Sequence, residues 1–490
     1  MALFIVNMHM KVVIFTSSAQ GTHTNDSDSI KHNLIKKSIS GQRIKNTTFY
    51  RYLGPYQIAS WLRQNDVPTQ VVDFVTYWSD EQLKKIVDKF VTNECKLVCF
   101  SPFVLPYTAS DNLKKFISYK WNLLAKLCKD KNVNTLLGGP TAYEPLMDLK
   151  YIDKVWTTYG EDYVLSLVKE TNKKFDITSD VMKFADNDIL IPGESLPMEW
   201  SRGCVFKCKY CRYHNIGKKK TDHLKDPIKI LETIEYNSTK FGTRNWTVTD
   251  DTLNAARNTI KELHQSLKHR DFKFAGYIRA DLMHIWNEQI TALPEMGFVS
   301  AFMGLESLNT DALKLVGKGW GGKNYKTKLK TTADNWGNSV SISAGMIAGI
   351  PPEKQKHWAE SNQWLVDNTD FSPFWSALML HEDKAQRLSV FELNAEKYGI
   401  TFKSDQNKRY WRWGDMNLGK AQGFVRYITK HNAGINRNKP AGHYGFGFFN
   451  MGFDWETIRS STKNKLNIRI NNKNLLEKQL NGYYDRLMAY

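Results

Sequence analysis

The sequence alternates short runs of β-branched and apolar residues with amphipathic stretches of helical length. Neighbouring parallel strands need a crossover connection, which is usually a helix, whereas antiparallel strands can be joined by a tight turn. The alternation therefore predicts an α/β fold with a parallel, doubly wound sheet in the first part of the chain. The strand-like and helix-like stretches lie, in chain order, at 12–15, 56–64, 70–74, 80–91, 97–103, 109–129 and 135–137.

Further βα units recur after residue 196, and this succession predicts a β/α barrel or part of one. A chain of 490 residues is longer than most single domains, so two domains and an extension are expected. The predicted division is a doubly wound domain at 1–170 with an insertion at 18–48, a polar linker at 171–195, a barrel at 196–390, and a basic, aromatic-rich, mainly α-helical region at 391–490.

The composition excludes several classes of protein. Hydrophobic residues make up 41% and charged residues 24%, which is typical of globular proteins, and no apolar run is long enough to cross a bilayer. The first ten residues lack the basic start of a signal peptide, so we expect a cytoplasmic protein without a membrane partner. The net charge is +18, and residues 391–490 hold 17 Lys and Arg against 8 Asp and Glu. This basic region could bind nucleic acid, but solvated basic surface is the favoured interpretation.

Three of the six cysteines lie within eight positions. Cys204, Cys208 and Cys211 have the spacing C-x3-C-x2-C in a predicted loop after a strand. Soft thiolate donors suit an iron–sulfur cluster or zinc, and three ligands leave one metal position open. His214 could complete a structural zinc site, so a zinc-binding protein remains an alternative at this point. The remaining cysteines are interpreted as buried small apolar residues without a role: Cys95, Cys99 and Cys128.

The cysteine motif and the segments after it resemble the radical S-adenosylmethionine (SAM) superfamily over most of residues 50–430. The supporting segments, in the family's order, are Tyr210 just before the third cysteine, the G-x-E-S-like residues 304–307 and the glycine-rich residues 345–353. The resemblance implies a partial (β/α)6 TIM-like barrel whose three thiolates bind three irons of a [4Fe–4S] cluster. It also implies that SAM chelates the fourth iron and is reductively cleaved to a 5′-deoxyadenosyl radical.

The same resemblance implies roles for individual residues. Tyr210 would lie against the adenine of SAM, and Glu306 would lie near its ribose. Asp250 and Asp251 could instead be helix N-caps, Arg279 and Glu306 could form a structural ion pair, and the glycines of the later strand could serve packing. The predicted SAM-site residues are Tyr210, Asp251, Arg279, Gly304, Glu306, Ser307, Ile347 and Gly349.

The first domain resembles the Rossmann-like cobalamin-binding domain that precedes the barrel in one large subclass. Ser101, Gly138 and Gly139 lie in the matching segments, and they are the predicted cobalamin-site residues. The D-x-H-x-x-G segment of many cobalamin proteins is absent after Phe15, as it is in many members of this subclass. The resemblance thus leaves cobalamin open as a third cofactor. Residues 410–417 loosely resemble the helical region that follows the barrel in the subclass.

The resemblance implies an enzyme that methylates an unactivated carbon of an unknown substrate with cobalamin. Its electron donor would be a protein such as flavodoxin or ferredoxin. One alternative is a cobalamin-independent radical SAM enzyme that modifies a nucleic acid or small molecule, with a degenerate first domain. Methylthiolating relatives usually carry a second cysteine trio upstream, and the scattered cysteines lack its spacing. No catalytic acid or base is predicted.

Overall fold

The computed structural model describes most of the chain, and among the described residues no helix is long and apolar enough to span a bilayer. The described residues are 10–17, 51–102, 111–139, 147–212, 223–318, 323–337, 339–380, 388–405, 408–435, 449 and 478–490.

The N-terminal part contains a five-stranded parallel sheet in the order β2-β1-β3-β4-β5. Its strands are β1 Val12–Thr16, β2 Thr69–Val72, β3 Leu97–Ser101, β4 Asn134–Gly138 and β5 Lys154–Trp156. Its helices are α1 Leu53–Gln64, α2 Asp80–Phe90, α3 Asp111–Lys129 and α4 Glu161–Val168. The sheet confirms the predicted doubly wound fold. Its order reverses between β1 and β3, and ligands of such sheets bind outside the carboxyl ends of the strands at that point.

Both faces of this sheet are covered, which explains why its strands are almost continuously apolar. Val12 and Ile14 point into one core with α1 and α4, and this core continues into the second sheet. Val13 and Phe15 point into the opposite core with α2 and α3. Alternate residues of a strand point to opposite faces, so the single run Val12–Thr16 contributes to both cores.

The second part contains a six-stranded parallel sheet in the order β13-β12-β11-β10-β9-β6, so its strands follow one another in chain order. Its strands are β6 Leu196–Met198, β9 Asn245–Val248, β10 Lys273–Arg279, β11 Phe298–Glu306, β12 Ser341–Ala348 and β13 Ser372–Ala377, and a short antiparallel pair, β7 Ser201–Arg202 and β8 His223–Leu224, lies beside it. Its helices are α5 Pro227–Phe241, α6 Arg257–Leu267, α7 Ala280–Ile285, α8 Glu288–Glu295, α9 Thr310–Val316, α10 Lys323–Trp336 and α11 Gln355–Asn368. The repeated βα units and their six parallel strands form the predicted partial barrel.

The polar segment at 171–195 forms little regular structure but packs closely on the first domain. Arg63 donates to Asp188 at 2.8 Å, and the buried guanidinium of Arg51 donates from Nε to both carboxylate oxygens of Glu194 at 2.9 Å. A segment interpreted only as a linker is therefore fixed by ion pairs that its sequence did not predict.

The region after the barrel contains helices, as predicted, together with a small sheet that the prediction lacks. It holds the helices α12 Val390–Leu393 and α13 Leu418–Ile435, but it also holds a three-stranded antiparallel sheet, β14 Thr401–Asp405, β15 Lys408–Trp413 and β16 Met416–Asn417. The helical interpretation of 410–417 is wrong because the aromatic run favours a strand and Gly414, at φ +45°, turns the chain into β16.

Residues 478–489 form a helix that returns to the first domain. Tyr483 is buried there, its ring stacks on Trp78 with 5.8 Å between ring centroids, and its hydroxyl accepts from the backbone amide of Asp73 at 3.0 Å. The two ends of the chain thus share one core, although the sequence places them in different domains.

Candidate functional site

The loop with the three cysteines follows β7 and lies between α9 and α12. Cys208 is buried, whereas Cys204 and Cys211 are partly exposed. The backbone amide of Cys211 donates to the carbonyl of Cys208 at 2.9 Å, which closes a turn between these two. Lys209 binds both flanking helices, because its amide donates to Val316 and its carbonyl accepts from the amide of Phe391. Backbone hydrogen bonds therefore hold the central part of the loop.

The donor set fits an iron–sulfur cluster in its chemistry. Three thiols in one loop offer soft ligands to irons, and the Arg279 guanidinium contacts one of them. Among the described residues no group of three or more His, Cys, Asp or Glu side chains is arranged to hold a metal ion. In a [4Fe–4S] cluster each thiolate binds a different iron, so the three sulfurs need not converge on one atom. His214 lies outside the described residues.

A buried carboxyl group fixes the start of the cysteine loop. Asp250 follows β9 and accepts hydrogen bonds from the backbone amide of Trp200 at 2.8 Å and from the Ser201 hydroxyl at 2.5 Å. Burial raises the pKa of Asp250 to about 7, although both hydrogen bonds act in the opposite direction. Asp250 is therefore not a helix N-cap, since it binds the segment that leads into the loop.

Arg202 connects the cysteine loop to the first domain. Its guanidinium donates to Glu199 at 2.6 Å and pairs with Glu161 at 2.8 Å. It also lies 4.6 Å from the centre of the Tyr159 ring. Tyr159 and Glu161 follow β5, and Arg202 follows β6, so the carboxyl ends of the two sheets approach each other here.

Arg279 ends β10 and lies against the cysteine loop. Its Nη1 donates to Sγ of Cys208 at 3.2 Å, while Nε and Nη2 form a two-point ion pair with Asp281 at 2.6 and 2.8 Å. The predicted alternative of an ion pair with Glu306 is wrong, because the partner of Arg279 lies two residues further along the chain.

Glu306 ends β11 in a strained conformation. Its φ is +67°, and the pairing with β12 is irregular between Gly304 and Glu306. Positive φ is uncommon for residues other than glycine, and such strain concentrates at functional sites. A Cβ on Gly304 would lie 2.7 Å from Glu306 Oε1, so a larger residue there would displace this carboxylate from its present position.

Two groups contact the Glu306 carboxylate. Lys318, which the sequence did not indicate, lies 3.3 Å away and donates to the carbonyl of Gly304 at 2.9 Å. The phenol of Tyr210 lies close enough to the Glu306 carboxylate to interact with it electrostatically. Desolvation of the phenol, with the nearby Glu306 carboxylate and Cys208 sulfur, raises the pKa of Tyr210 well above its usual value. The structure thus brings Tyr210 of the cysteine loop and Glu306 together.

The later strand ends add a second buried carboxyl group. Ser307 donates to Glu353 at 2.7 Å, and burial raises the pKa of Glu353 to about 8. Gly349 has φ +112°, and a Cβ there would lie 2.6 Å from the ring of Trp411, so packing explains this glycine. Ile347, two residues before it, is partly exposed.

The carboxyl edge of the first sheet carries small side chains. Ser101 pairs with Thr16 across the switch point between β3 and β1, and its carbonyl accepts from the Thr16 hydroxyl at 3.3 Å. Gly139 has φ +100°, and a Cβ there would first meet the Ser101 hydroxyl at 3.9 Å. A Cβ on Gly138 would meet nothing closer than a carbonyl at 3.9 Å. The predicted residues lie together, and packing does not explain Gly138.

The remaining predictions lie at the periphery. Asp251 is partly buried beside Thr252, whose hydroxyl is 3.6 Å from the sulfur of Cys204. It is not a helix N-cap either, since Thr252 precedes the short helical turn that follows. The other cysteines are buried among apolar side chains of the first domain, and burial raises their thiol pKa values, to about 11 for Cys95.

Comparisons with known proteins agree with this geometry. Residues 198–365 match the radical SAM superfamily. The fold is similar to that of TsrM from Kitasatospora setae, a radical SAM methyltransferase with cobalamin and a [4Fe–4S] cluster bound, with a TM-score of 0.57 and 12% identity over 81% of each chain. It is also similar to OxsB, a cobalamin-dependent SAM radical enzyme, with a TM-score of 0.51 and 15% identity over 80% of this chain and 56% of OxsB.

A curated relative is an uncharacterized methyltransferase of Synechocystis, which is 24% identical over 193 residues. This match spans 37% of the present chain and 34% of the relative, so the chain matches about a third of that protein's length. At these identities the solved structures show a shared fold. The family match shows a radical SAM domain, the domain of enzymes that use a [4Fe–4S] cluster and SAM.

Proposed function

We propose that this chain is a cobalamin-dependent radical SAM methyltransferase that acts on an unactivated carbon. When bound, the cluster and SAM supply a radical that removes a substrate hydrogen atom, and cobalamin supplies the methyl group. The observation that carries the proposal is the meeting of Cys208, Tyr210, Arg279 and Glu306 at the carboxyl ends of β10 and β11, the end of a β/α barrel at which enzymes place their chemistry.

Cys204, Cys208 and Cys211 would hold the cluster, because they are the clustered thiols of the chain and their loop is fixed on both sides. The residues at the neighbouring strand ends would bind SAM. Tyr210 and Ile347 would contact the adenine, and the strained Glu306 would accept from the ribose hydroxyls. In that arrangement Lys318 would neutralise the Glu306 carboxylate, since the two are paired at 3.3 Å.

The other predicted residues would shape the same site. Gly304 leaves space for the Glu306 side chain, and Ser307 joins the end of β11 to Glu353 by a hydrogen bond. Gly349 allows the turn against Trp411. Asp251 lies next to Thr252 near the first cysteine, where it would face the bound nucleoside.

The first domain would bind cobalamin at its carboxyl edge. The sheet order places a switch point between β1 and β3, which is where open α/β sheets bind ligands. Gly138 fits a close backbone approach by a large ligand, because no neighbouring protein atom requires a glycine there. The fold likeness to TsrM and OxsB supports this placement, since both are described with cobalamin.

Arg202 would fix the position of the cluster site relative to the cobalamin site. Its ion pairs with Glu199 and Glu161 join the segment before the cysteines to the segment after β5. A substrate held between the two carboxyl edges would then face both cofactors and be protected from water. The exposed Val205 and Lys207 of the cysteine loop are the surface that an electron-donor protein such as flavodoxin or ferredoxin would approach, in the cytoplasm.

Product analysis tests the proposal. The anaerobically reconstituted chain is incubated with SAM, a one-electron reductant and hydroxocobalamin, which the reductant converts to cob(I)alamin, and a parallel sample lacks the cobalamin. We expect S-adenosylhomocysteine only in the complete sample, because SAM gives its methyl group to cob(I)alamin there, and 5′-deoxyadenosine in both samples. Formation of 5′-deoxyadenosine alone in both samples would instead support radical chemistry without cobalamin.

A further inference from the structure

We propose that Arg279 sets the reduction potential of the cluster through its hydrogen bond to the sulfur of Cys208, an inference that rests on the proposed cluster site. Nη1 of Arg279 lies 3.2 Å from Cys208 Sγ, a hydrogen-bonding distance for a sulfur acceptor. Both side chains are buried, so bulk water screens the contact only weakly. Hydrogen bonds to the ligating sulfurs are among the factors that set the potential of such clusters.

The guanidinium is held rigidly in this position. Asp281 accepts from Nε and Nη2, the carbonyl of Gly317 accepts from Nη2 at 3.0 Å, and the guanidinium carbon lies 3.8 Å from the centre of the Phe206 ring. Of the five N–H groups of an arginine, these contacts and the sulfur use four. Arg279 therefore donates to a proposed cluster ligand. Its paired N–H groups already bind Asp281, so they cannot form a two-point hydrogen bond with a carboxylate of a bound cosubstrate.

The direction of the effect follows from charge. Reduction adds an electron to the cluster and makes its sulfur ligands more negative. A buried positive donor on a ligand sulfur stabilises the reduced state more than the oxidised state. Arg279 therefore raises the reduction potential and makes the cluster easier to reduce. Asp281 is a positioning residue, since it acts on the sulfur only by holding the guanidinium.

The test is an EPR-monitored redox titration of the reconstituted full chain, with iron and sulfide measured on each sample. We expect Arg279→Gln to keep the cluster and to shift its midpoint potential to more negative values. Arg279→Lys keeps the charge but loses the two-point ion pair with Asp281, and it should give a smaller shift of the midpoint potential in the same direction. Arg257→Gln removes the same charge from an exposed pair on α6 and should leave the potential unchanged.

The outcomes separate this inference from the proposed function. A wild-type chain that assembles no cluster would contradict the function itself. A fully loaded Arg279→Gln variant with the wild-type potential would overturn the role of Arg279 alone. If Arg279→Gln loses its iron, the Asp281→Asn variant provides the test instead. That change weakens the ion pair that holds the guanidinium but leaves the donor to Cys208 in place. Asp281→Asn should then also lower the potential, and an unchanged potential would overturn the inference.

Discussion

The carboxyl ends of the strands carry different kinds of side chains in the two parallel sheets of this chain. At the carboxyl edge of the second sheet, charged side chains are buried and held by partners, as with Arg279 by Asp281 and Glu306 by Lys318. At the ends of β3 and β4 in the first sheet, beside the switch point, the described residues are small, namely Ser101, Gly138 and Gly139. The first kind of edge recognises a ligand by charge and donor chemistry, and the second recognises it by shape and close backbone approach.

This difference matches the ligands that we assign to the two edges. A cluster and a zwitterionic cosubstrate need thiolates, carboxylates and fixed positive charge, whereas a corrin ring needs a broad surface without protruding side chains. Substitutions should therefore have different signatures at the two edges. Changes at the second edge should affect metal content and stability, and changes at the first edge should affect ligand affinity while the fold stays intact.

The largest effect is expected at the second edge from Cys208→Ala. It removes one of three thiolates and the acceptor of Arg279, so we expect almost complete loss of bound iron and of the brown colour after anaerobic reconstitution. Iron and sulfide analysis measures this. The control is Cys128→Ala in the first domain, which should bind iron as the wild type does. Equal iron loss in both variants would remove the distinction between the clustered and the scattered cysteines.

The next largest effect concerns the connection between the edges. Arg202→Ala leaves Glu161 and Glu199 buried without their cation, and we expect a loss of about 3 kcal/mol in the free energy of unfolding. Denaturant titration measures it. The matched control is Arg257→Ala, which breaks an exposed pair with Glu288 and should cost about 0.5 kcal/mol. Equal losses for the two variants would show that the buried ion pairs of Arg202 do not stabilise the chain.

A pH-dependent effect is expected from Glu353→Gln. Burial raises the pKa of Glu353 to about 8, so the stability that this carboxyl contributes is present below its ordinary pKa and is lost as the pH rises towards 8. Relative to the wild type, the Gln variant should therefore gain about 2 kcal/mol between pH 5 and pH 6.5, inside the window between the two pKa values. Denaturation midpoints at both pH values measure it. Glu360→Gln, at an exposed position of α11, should follow the wild-type profile.

The smallest effect is expected at the first edge. Gly138→Ala has space for its Cβ, so we expect the free energy of unfolding to change by less than about 0.5 kcal/mol. Affinity for cobalamin should fall by about tenfold, because an added methyl group at a close contact costs about 1–3 kcal/mol. Absorbance titration with hydroxocobalamin measures it, and Gly482→Ala on the C-terminal helix is the control. Unchanged affinity would exclude Gly138 from the cobalamin site.

Local patterns predict the two sheets, and the resemblance to the radical SAM superfamily indicates the residues that meet at the barrel end. The run Lys273–Arg279 predicts a strand that ends near Arg279, and the spacing of the three cysteines predicts a metal-binding loop. Their partners were not predictable in the same way. Lys318 lies 12 positions after Glu306 and looks like an ordinary surface lysine until the chain between them folds back.

Longer-range packing explains the other errors. The helix at 478–489 packs on a domain about 400 residues earlier, and no local period could indicate that contact. The run around Trp411 loosely resembles a helical region of related enzymes, yet it forms a strand. Its two indoles donate to carbonyls of the barrel end, Trp411 to Leu378 and Trp413 to Gly349. These contacts depend on the finished barrel and therefore have no counterpart in the local sequence.

The most direct test of the central claim is an EPR measurement on the reduced, anaerobically reconstituted chain before and after addition of SAM. We predict the signal of a reduced [4Fe–4S] cluster that changes on addition of SAM, because the cosubstrate would bind the iron that the three cysteines leave open. A chain with no cluster signal, or with a signal that SAM does not alter, would contradict the account.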